Sequence, residues 1–322
     1  MKGGIHLAKK IATIGDAMVT FNPGQTGPLR FVQSFHRAVG GAELNFAVGI
    51  SRLGLEAKWI SRLGNDEFGK VIYTFARGEG IDVSAVEFVD DLPTSIYFKE
   101  IQENGAGKSF YYRAPSPLLA LREVDIDASL LTGIDALHIS GVYLAVCPHN
   151  INVALKLVIL AKQQGIPVSF DPNLRLKLWS IEAAREAYAK LYPYVDILLT
   201  GKDEFEQLFG PATPLYMAQI AERYDISQFV VKDGGNGAAV YAAGKWYERE
   251  AFQVQVADTV GAGDAFDAGY IYSYLKRLSI EECLRFANGA GALATTVKGD
   301  NEGLPDLQAL RQFIGDEKVI ER

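Results

Sequence analysis

Residues 258–270 have the sequence Asp-Thr-Val-Gly-Ala-Gly-Asp-Ala-Phe-Asp-Ala-Gly-Tyr and carry the strongest structural and chemical signal of the chain. Gly261 and Gly263 flank Ala262, so the backbone can turn tightly and come close to a ligand. The apolar spacing that follows predicts a helix from Ala265 to Leu278. A glycine-rich turn that opens a helix points unpaired N–H groups and the positive end of the helix dipole at one spot, which suits a phosphate.

A carboxylate, Asp264, lies at the same spot. The amides of Gly261, Ala262 and Gly263 would form an anion hole, and Asp264 would take the proton of an attacking hydroxyl. Together they indicate phosphoryl transfer. We expect a carboxylate at a helix N-terminus to stay ionised at neutral pH, as a base must. A bare Gly-x-Gly-Asp would also fit a purely structural helix start with Asp264 as a first-turn acid.

The longer string, Asp-Thr-x-Gly-Ala-Gly-Asp-Ala-Phe, resembles the signature of the ribokinase-like (PfkB) carbohydrate kinases. In that family the last Asp is the catalytic base and the Gly-Ala-Gly backbone is the anion hole. Residues 59–69 are similar to the family's second signature, a strand followed by Gly-x-Asp-x-x-Gly, which we expect to be structural. The resemblance covers nearly the whole chain.

Composition excludes several other functions. The chain has 322 residues, 48% of them hydrophobic, and a net charge of 32 − 39 = −7. This charge argues against nucleic acid or an anionic membrane as the main partner. The two cysteines, Cys147 and Cys283, form no metal-ligand spacing or disulfide framework, so we expect a reducing cytoplasm. No apolar run is long enough to span a membrane.

From residue 136 onward strands and helices alternate. The pattern predicts strands at Ala136–Ser140, Ile166–Phe170, Asp196–Thr200 and Phe229–Lys232, with helices between them. Such alternation gives an α/β fold, a doubly wound and mostly parallel sheet with helices on both faces. Ligands then bind beyond the carboxyl ends of the strands. We interpret residues 1–322 as a single domain.

Two segments, about 17–38 and 94–113, break this alternation with β-rich runs around turn signals. We predict that they form a small β-sheet lid inserted in the domain. The second segment has an Asn104-Gly105 turn signal between its strands. Its loop also contains Gly-Ala-Gly-Lys-Ser at 105–109, like the end of a P-loop. Gln102 occupies the position of a required glycine and a β-run follows, so we expect no phosphate site there.

Several residues are candidates for binding a sugar. Asp16 follows a predicted strand at 11–14 and could bind hydroxyls or simply cap a turn. Gly40-Gly41 opens an amphipathic helix that contains Asn45. The resemblance implies that Gly41 and Asn45 bind the sugar, whereas a structural helix start with Asn45 in solvent would give the same pattern.

The second lid strand adds aromatic and basic side chains. Tyr111 and Arg113 lie two residues apart and could share a face with Tyr97. Two phenols and a guanidinium suit a polyhydroxylated acid, because arginine pairs bidentately with a carboxylate. An ordinary surface strand with tyrosines is the alternative.

Two loops at predicted strand ends are candidates for binding a nucleotide. Asp171-Pro172-Asn173-Leu174-Arg175 follows one strand, and the glycine-rich run 232–238 follows another. A simple turn between strands is the alternative for the second loop, but its order before residues 258–264 matches the family. The predicted nucleotide-binding residues are Asn173, Arg175, Lys232, Gly234, Gly235, Gly237, Ala238, Gly261, Gly263 and Asn288.

Within the family, the chain is most similar to the 2-keto-3-deoxygluconate kinases, whose matching tyrosines and arginines hold the keto acid. The residues behind this similarity are the run from Gly41 to Asn45, Tyr97, Tyr111 with Arg113, and Asp171-Pro172-Asn173 with Arg175. By position, the similarity also implies that Asp300 contacts sugar hydroxyls. It also implies ATP, Mg²⁺ and a homo-oligomer contact through the lid. One departure is Gly201, which replaces the Asn of the family's Asn-x-x-Glu motif; the Glu of the motif, Glu204, would orient Mg²⁺ through water.

The sequence therefore predicts a cytoplasmic, ATP-dependent kinase that phosphorylates the primary hydroxyl of 2-keto-3-deoxygluconate. A second interpretation is a related kinase of a neutral sugar, such as fructose or ribose, or of a nucleoside. A third, from another class, is a non-catalytic sugar-binding protein on a kinase scaffold. A nicotinamide dehydrogenase is disfavoured because no Gly-x-Gly-x-x-Gly follows the first strand.

Overall fold

The computed structural model describes residues 8–102 and 107–317, which form two β-sheets and the helices around them. The strands are β1 (Lys10–Ile14), β2 (Met18–Pro23), β3 (Phe35–Gly40), β4 (Glu56–Gly64), β5 (Asp82–Val89), β6 (Ile96–Ile101), β7 (Gly107–Tyr112), β8 (Ala136–Ser140), β9 (Val168–Asp171), β10 (Ile197–Gly201), β11 (Gln228–Lys232), β12 (Ala238–Ala242) and β13 (Lys245–Arg249).

The α-helices lie mostly between the strands of the large sheet. They are α1 (Ala42–Arg52), α2 (Glu67–Gly78), α3 (Gly141–Val146), α4 (Asn150–Gln163), α5 (Ile181–Leu191), α6 (Lys202–Leu208), α7 (Pro214–Arg223), α8 (Ala262–Leu275), α9 (Ile280–Ala294) and α10 (Leu307–Phe313). In the described part of the chain, none of them has the length and apolar character that crossing a bilayer requires.

The large sheet has the strand order β13-β12-β11-β10-β9-β8-β1-β4-β5, and only β12 and β13 run antiparallel to their neighbours. One apolar cluster packs α1, α2, α8 and α9 against one face of the sheet. A second cluster packs α4, α5 and α7 against the other face. The predicted doubly wound α/β fold is therefore confirmed.

Parallel pairing brings the carboxyl ends of the central strands to one edge of the sheet. Ser140 pairs with Asp171, the last residue of β9. Gly201 pairs with Lys232, the last residue of β11. Because β1 is also parallel to its neighbours, Asp16, two residues beyond its end, lies at the same edge. The edge is where a ligand site is expected in such a sheet.

The lid is one four-stranded sheet with the order β3-β2-β6-β7. β2 and β6 pair in parallel, so the two predicted lid segments join into a single layer. Tyr97 stands opposite Tyr111 across β6 and β7. The predicted Asn104-Gly105 turn lies outside the described residues. The run that resembles a P-loop continues into β7 from Gly107, so no helix follows it.

Three elements were not predicted: β5, α3 and α10. Helix α8 also begins at Ala262, three residues before the predicted start. The reason is Gly261, which caps the helix in the left-handed conformation at φ 77° and lets the helix begin within the glycine-rich turn.

Helices α1 and α8 approach each other closely where neither has a bulky side chain. A Cβ placed on Gly49 of α1 would lie 2.7 Å from the Cβ of Ala268 in α8. This distance is too short for two methyl groups, so the absence of a side chain at residue 49 sets the separation of the helices.

We expect Gly49→Ala to lower the free energy of unfolding by about 1–3 kcal/mol, because the added methyl group forces α1 and α8 apart. Urea denaturation measures the effect. Gly78→Ala is the matched control, since Gly78 is also helical and a Cβ there would meet no atom within 4 Å. It should be neutral or stabilising by up to about 1 kcal/mol. Equal midpoints for the two variants would contradict this account of the packing.

Candidate active site

Asp264 lies in the first turn of α8, and its carboxylate faces the start of α1. The Nδ2 group of Asn45 donates a hydrogen bond to Asp264 Oδ2 over 2.9 Å. In turn, Asn301 Nδ2 donates to Asn45 Oδ1 over 3.3 Å and to the carbonyl oxygen of Val39 over 2.7 Å. Asn45 is therefore buried and oriented by two partners, and the alternative in which it faces solvent is wrong.

The predicted anion hole lies at the N-terminus of α8. The amide of Ala262 makes only a long hydrogen bond, 3.4 Å to the carbonyl oxygen of Thr259. Helix geometry leaves the amide of Gly263, in the first turn, without an acceptor in a preceding turn of the helix. Gly261 precedes them with its backbone against the carbonyl oxygen of Asp300, where a Cβ would overlap that oxygen. Gly263 is exposed and open to a ligand. The turn can accommodate a phosphoryl group.

The charge of Asp264 differs from the expectation based on the helix N-terminus alone. Burial raises the pKa of Asp264 to about 7. The hydrogen bond from Asn45 and the charges of Arg175 and Lys232 lower this pKa, and Asp171 raises it. Desolvation outweighs the favourable partners, so Asp264 titrates near neutral pH, where a general base is most effective.

Asp16 and Arg113 form an ion pair between the sheet edge and the lid. Arg113 Nε donates to Asp16 Oδ2 over 2.8 Å, and both side chains are largely buried. The Oδ1 atom of Asp16 accepts the amide of Ala17 over 2.9 Å. Gly41, with φ 141°, lies so close that a Cβ there would be 2.6 Å from the carbonyl oxygen of Asp16. The structure thus brings Asp16, Gly41 and Arg113 together.

The lid contacts the domain core through Asp300. Tyr97 donates its hydroxyl to Asp300 Oδ2 over 2.7 Å, and Lys99 Nζ donates to Oδ1 over 2.8 Å. The rings of Tyr97 and Tyr111 stand 5.2 Å apart, and Tyr111 is 47% exposed. Lys99 was missed by the sequence analysis, although it lies two residues after Tyr97 and so shares its face of β6.

The loop after β9 places Arg175 where its charge acts on Asp264. Asp171 Oδ1 accepts the amide of Asn173 over 3.0 Å, and Asn173 takes the left-handed conformation at φ 38°. Arg175 is exposed, and its charge reaches Asp264, whose pKa it lowers. A guanidinium in this position can pair with either a phosphate or a carboxylate.

The structure places Lys232 beneath the glycine-rich turn of α8 instead of in an open loop. Its Nζ atom lies 3.1 Å from Asp171 Oδ2 and 3.1 Å from Asp267 Oδ1. Both carboxylates are buried. Two of its three N–H donors therefore point to protein carboxylates, unlike those of a lysine held ready for a nucleotide.

The glycine-rich loop after β11 is open on its outer side. A Cβ on Gly234 or Gly235 would meet nothing within 4 Å, and Gly237 takes a positive φ of 107° before Ala238 begins β12. Asn288 is buried in α9 and donates to the carbonyl oxygens of residues 249 and 250, at 3.1 and 3.2 Å. The loop remains a candidate nucleotide surface, and Asn288 holds the adjoining backbone.

Glu204 has backbone partners for both carboxylate oxygens. Oε1 accepts the amide of Leu174 over 2.7 Å, and Oε2 accepts the amide of Gly201 over 3.0 Å. Burial and the charge of Asp171 raise the pKa of Glu204. No group of three or more His, Cys, Asp or Glu side chains in the described ranges is arranged to hold a metal ion. Glu204 thus fits a helix cap better than a direct metal ligand.

Glu43 is a second buried acid that the sequence analysis missed. It lies in the first turn of α1, and within residues 8–102 and 107–317 neither carboxyl oxygen has a hydrogen-bond partner. Burial raises the pKa of Glu43 to about 8, with Asp16 and Asp264 raising it further and Arg113 opposing them. The acidic residue in an otherwise apolar helix face was the available signal.

We expect Glu43→Gln to stabilise the fold increasingly as pH rises from about 4.5 to 8. In this range the unfolded chain releases the Glu43 proton while the folded chain keeps it, which costs stability that the variant regains, on the order of 3 kcal/mol at pH 7. Urea denaturation at pH 5 and pH 8 measures the difference, with the exposed Glu206→Gln as control. A gain that did not grow with pH would contradict the burial of a neutral Glu43.

Comparison with known proteins agrees with this geometry. The model of the pfkB family carbohydrate kinases matches residues 8–307. A 2-dehydro-3-deoxygluconokinase of Thermoproteus tenax is 34% identical over 308 residues, 94% of each chain. Fructokinase-1 of Zea mays is 30% identical and covers 94% of this chain and 97% of its own.

An Escherichia coli protein solved in complex with ATP and Mg²⁺ has a TM-score of 0.87 and 27% identity, covering 96% of this chain and 100% of that chain. The family match extends over both sheets and over every residue of the site described above. The chain belongs to the pfkB family of carbohydrate kinases.

Proposed function

We propose that the chain transfers the γ-phosphoryl group of ATP to the primary hydroxyl of 2-keto-3-deoxygluconate. The observation that carries this proposal is the meeting of Asp264, the N-terminus of α8 and the Asp16–Arg113 ion pair at one edge of the sheet. The first two are suited to phosphoryl transfer, and the third is suited to a sugar acid.

Asp264 would act as the general base. Its carboxylate, held by Asn45, accepts the proton of the hydroxyl while that oxygen attacks the γ-phosphorus. The bond from this phosphorus to the bridging oxygen breaks, and ADP leaves. A pKa of about 7 leaves enough of the carboxylate ionised at neutral pH and keeps it basic enough to take the proton.

The amides at the start of α8 would stabilise the charge on the transferred group. They and the helix dipole are fixed before the reaction, so they stabilise the transition state without reorganising. The ATP complex of the Escherichia coli relative supports ATP as the donor. Magnesium enters with the nucleotide, because its phosphate oxygens supply the hard ligands that Mg²⁺ prefers.

Arg113 and Arg175 would recognise the carboxylate of the sugar acid. Arg113 is aligned by Asp16 through Nε, which leaves the outer end of the guanidinium fork pointing away from that contact. The hydroxyls of the sugar acid would be bound from the lid side by Tyr97, Tyr111 and Asp300. The similarity to the 2-dehydro-3-deoxygluconokinase of Thermoproteus tenax supports the sugar acid as the substrate. Residues 234–238 would face the nucleotide.

A neutral sugar is the second candidate, because Zea mays fructokinase-1 is similar over nearly the same length. In that case Asp16 would be the true hydroxyl ligand and Arg113 its support. A non-catalytic sugar-binding protein is less well supported, since Asp264 and the glycine-rich turn are both present. Oligomer formation through the lid stays a prediction, which the 65% exposure of Tyr112 supports.

We expect Asp264→Asn to lower kcat by roughly 10²–10⁴, the usual contribution of a general base, with little change in substrate KM. A coupled assay of ADP formation measures this. Glu182→Gln is the matched control, because Glu182 is an exposed first-turn acid of α5. Near-normal turnover by Asp264→Asn would show that Asp264 is not the base.

Arg113→Ala should raise the KM for 2-keto-3-deoxygluconate about 10- to 100-fold, because a charge-assisted hydrogen bond contributes about 1.5–3 kcal/mol. The KM for fructose or ribose should change little. Initial rates with these sugars and adenosine, for wild type, Arg113→Ala, Arg175→Ala and the exposed control Arg223→Ala, test this. A wild-type preference for a neutral sugar that is indifferent to Arg113 would reject the substrate and leave the role of Asp264 intact.

A further inference from the structure

Lys232 connects three elements that meet beneath the phosphoryl site. Its ammonium lies 3.1 Å from Asp171 at the end of β9 and 3.1 Å from Asp267 in α8. The Lys232 side chain is 16% exposed, and the carboxylates are 4% and 1% exposed. A lysine is rarely buried unless it is paired, so its burial marks a built cluster and not a surface ion pair.

Each of the two carboxylates that pair with Lys232 is connected to a different part of the proposed site. Asp171 also accepts the amide of Asn173, and it therefore shapes the loop that carries Arg175. Asp267 follows Asp264 by three residues, about one helical turn, in α8. A displacement of the Lys232 ammonium would thus act on the base and on Arg175 together.

The ammonium also lies close to the anion hole. A Cβ built on Gly263 would stand 3.9 Å from Lys232 Nζ. The positive charge therefore lies close to the glycine-rich turn, at a distance where a buried charge is only weakly screened. Two of its three N–H donors already point to carboxylates, which leaves little capacity for a nucleotide phosphate.

We propose that Lys232 is a positioning residue for phosphoryl transfer: held by Asp171 and Asp267, its ammonium ties α8 to the ends of β9 and β11 and places a positive charge beneath the anion hole. The inference rests on the proposed role of Asp264 as the base. It assigns Lys232 a function different from the nucleotide contact expected from the sequence.

The proton distribution in the cluster supports this role. Burial raises the pKa of Asp267 well above its usual range, although Lys232 opposes the shift. For Asp171 burial acts in the same direction, but Lys232 and a hydrogen bond from Asp267 hold the pKa low. Burial lowers the pKa of Lys232, and the two carboxylates more than compensate, so it stays charged. Within the cluster, Asp267 therefore holds a proton more readily than Asp171 does, and Lys232 keeps its charge.

The charge of Lys232 acts on Asp264 together with the groups of every element around it. These groups are Glu43 and Asn45 on α1, Asp171 and Arg175 at the end of β9, Lys232 on β11 and Asp300, whose backbone lies against Gly261. Lys232 and Arg175 lower the pKa of Asp264, and Asp171 raises it. Without Lys232 the ionised Asp171 would be uncompensated, so Asp264 would keep its proton to a higher pH.

The test is the pH dependence of kcat/KM for the full-length chain with its best sugar substrate. For wild type we expect the acid limb near pH 7, the pKa of Asp264. Lys232→Met should move this limb upward by roughly one pH unit and lower kcat/KM at pH 7 about tenfold. The KM for the sugar should change less than about threefold. In Lys232→Arg the acid limb should lie closer to the wild-type pH than in Lys232→Met, because arginine keeps the positive charge.

A second variant separates charge from structural support. Lys232→Met with Asp267→Asn keeps the hydrogen bond to Asp171 and removes the lysine charge. If the inference holds, urea stability recovers relative to Lys232→Met while the acid limb stays displaced. The exposed Lys190→Met, whose lysine pairs with Glu186 on α5, should match wild type in both measurements.

Three results would overturn the inference. The first is an acid limb that does not move in Lys232→Met. The second is a double variant in which both turnover and the limb return to wild type. The third is a raised KM for ATP with an unchanged limb, which would make Lys232 a nucleotide ligand after all. The activity of Asp264→Asn is measured alongside, and only that result decides the proposed base.

Discussion

The close contact between α1 and α8 is the constraint on which the site depends. Gly49 and Ala268 allow the two helices to approach, and their N-terminal turns consequently meet at the hydrogen bond between Asn45 and Asp264. The start of α1 lies against the strand end that carries Asp16, and the start of α8 carries the glycine-rich turn beside Asp264. A change of a few tenths of an ångström in helix separation would therefore move Asp16 and Asp264 relative to each other, because packed interiors transmit such shifts.

Burial of charge is the second organising feature. Burial raises the pKa of Asp264 to about 7 and the pKa of Glu43 to about 8. Such burial reduces stability at neutral pH, because the unfolded chain releases protons that the folded chain retains. In the cluster around Lys232, burial likewise raises the pKa of Asp267, and the lysine opposes the shift. The fold thus places basic groups beside buried acids, where the basic groups lower pKa values that burial raises.

Much of the fold could be predicted because it follows local patterns. Alternating strands and helices indicate a parallel sheet, and the glycine-rich run at 258–264 marks a helix start near a carboxylate. The strand β5 and the short helices α3 and α10 were not predicted. The strand pairs with β4, and the two helices pack on α4 and α9, so tertiary contacts stabilise all three elements. Lys232 was recognised as important, but its partners Asp171 and Asp267 lie 61 and 35 residues away. No local pattern specifies such a pair.

The amino-acid sequence by itself determined the family and the place of Asp264 beside a glycine-rich helix start, because these depend on residue types at fixed short spacing within one turn and one helix. Only the tertiary structure decided the pKa of Asp264 and the burial of Lys232. It also decided the ion pair of Arg113 with Asp16 and the hydrogen bonds that Tyr97 and Lys99 donate to Asp300. These features depend on desolvation and on contacts between strand ends, helix starts and the lid. Both arise when chain packing brings distant segments together, since the energy of a charge is set by everything around it in space.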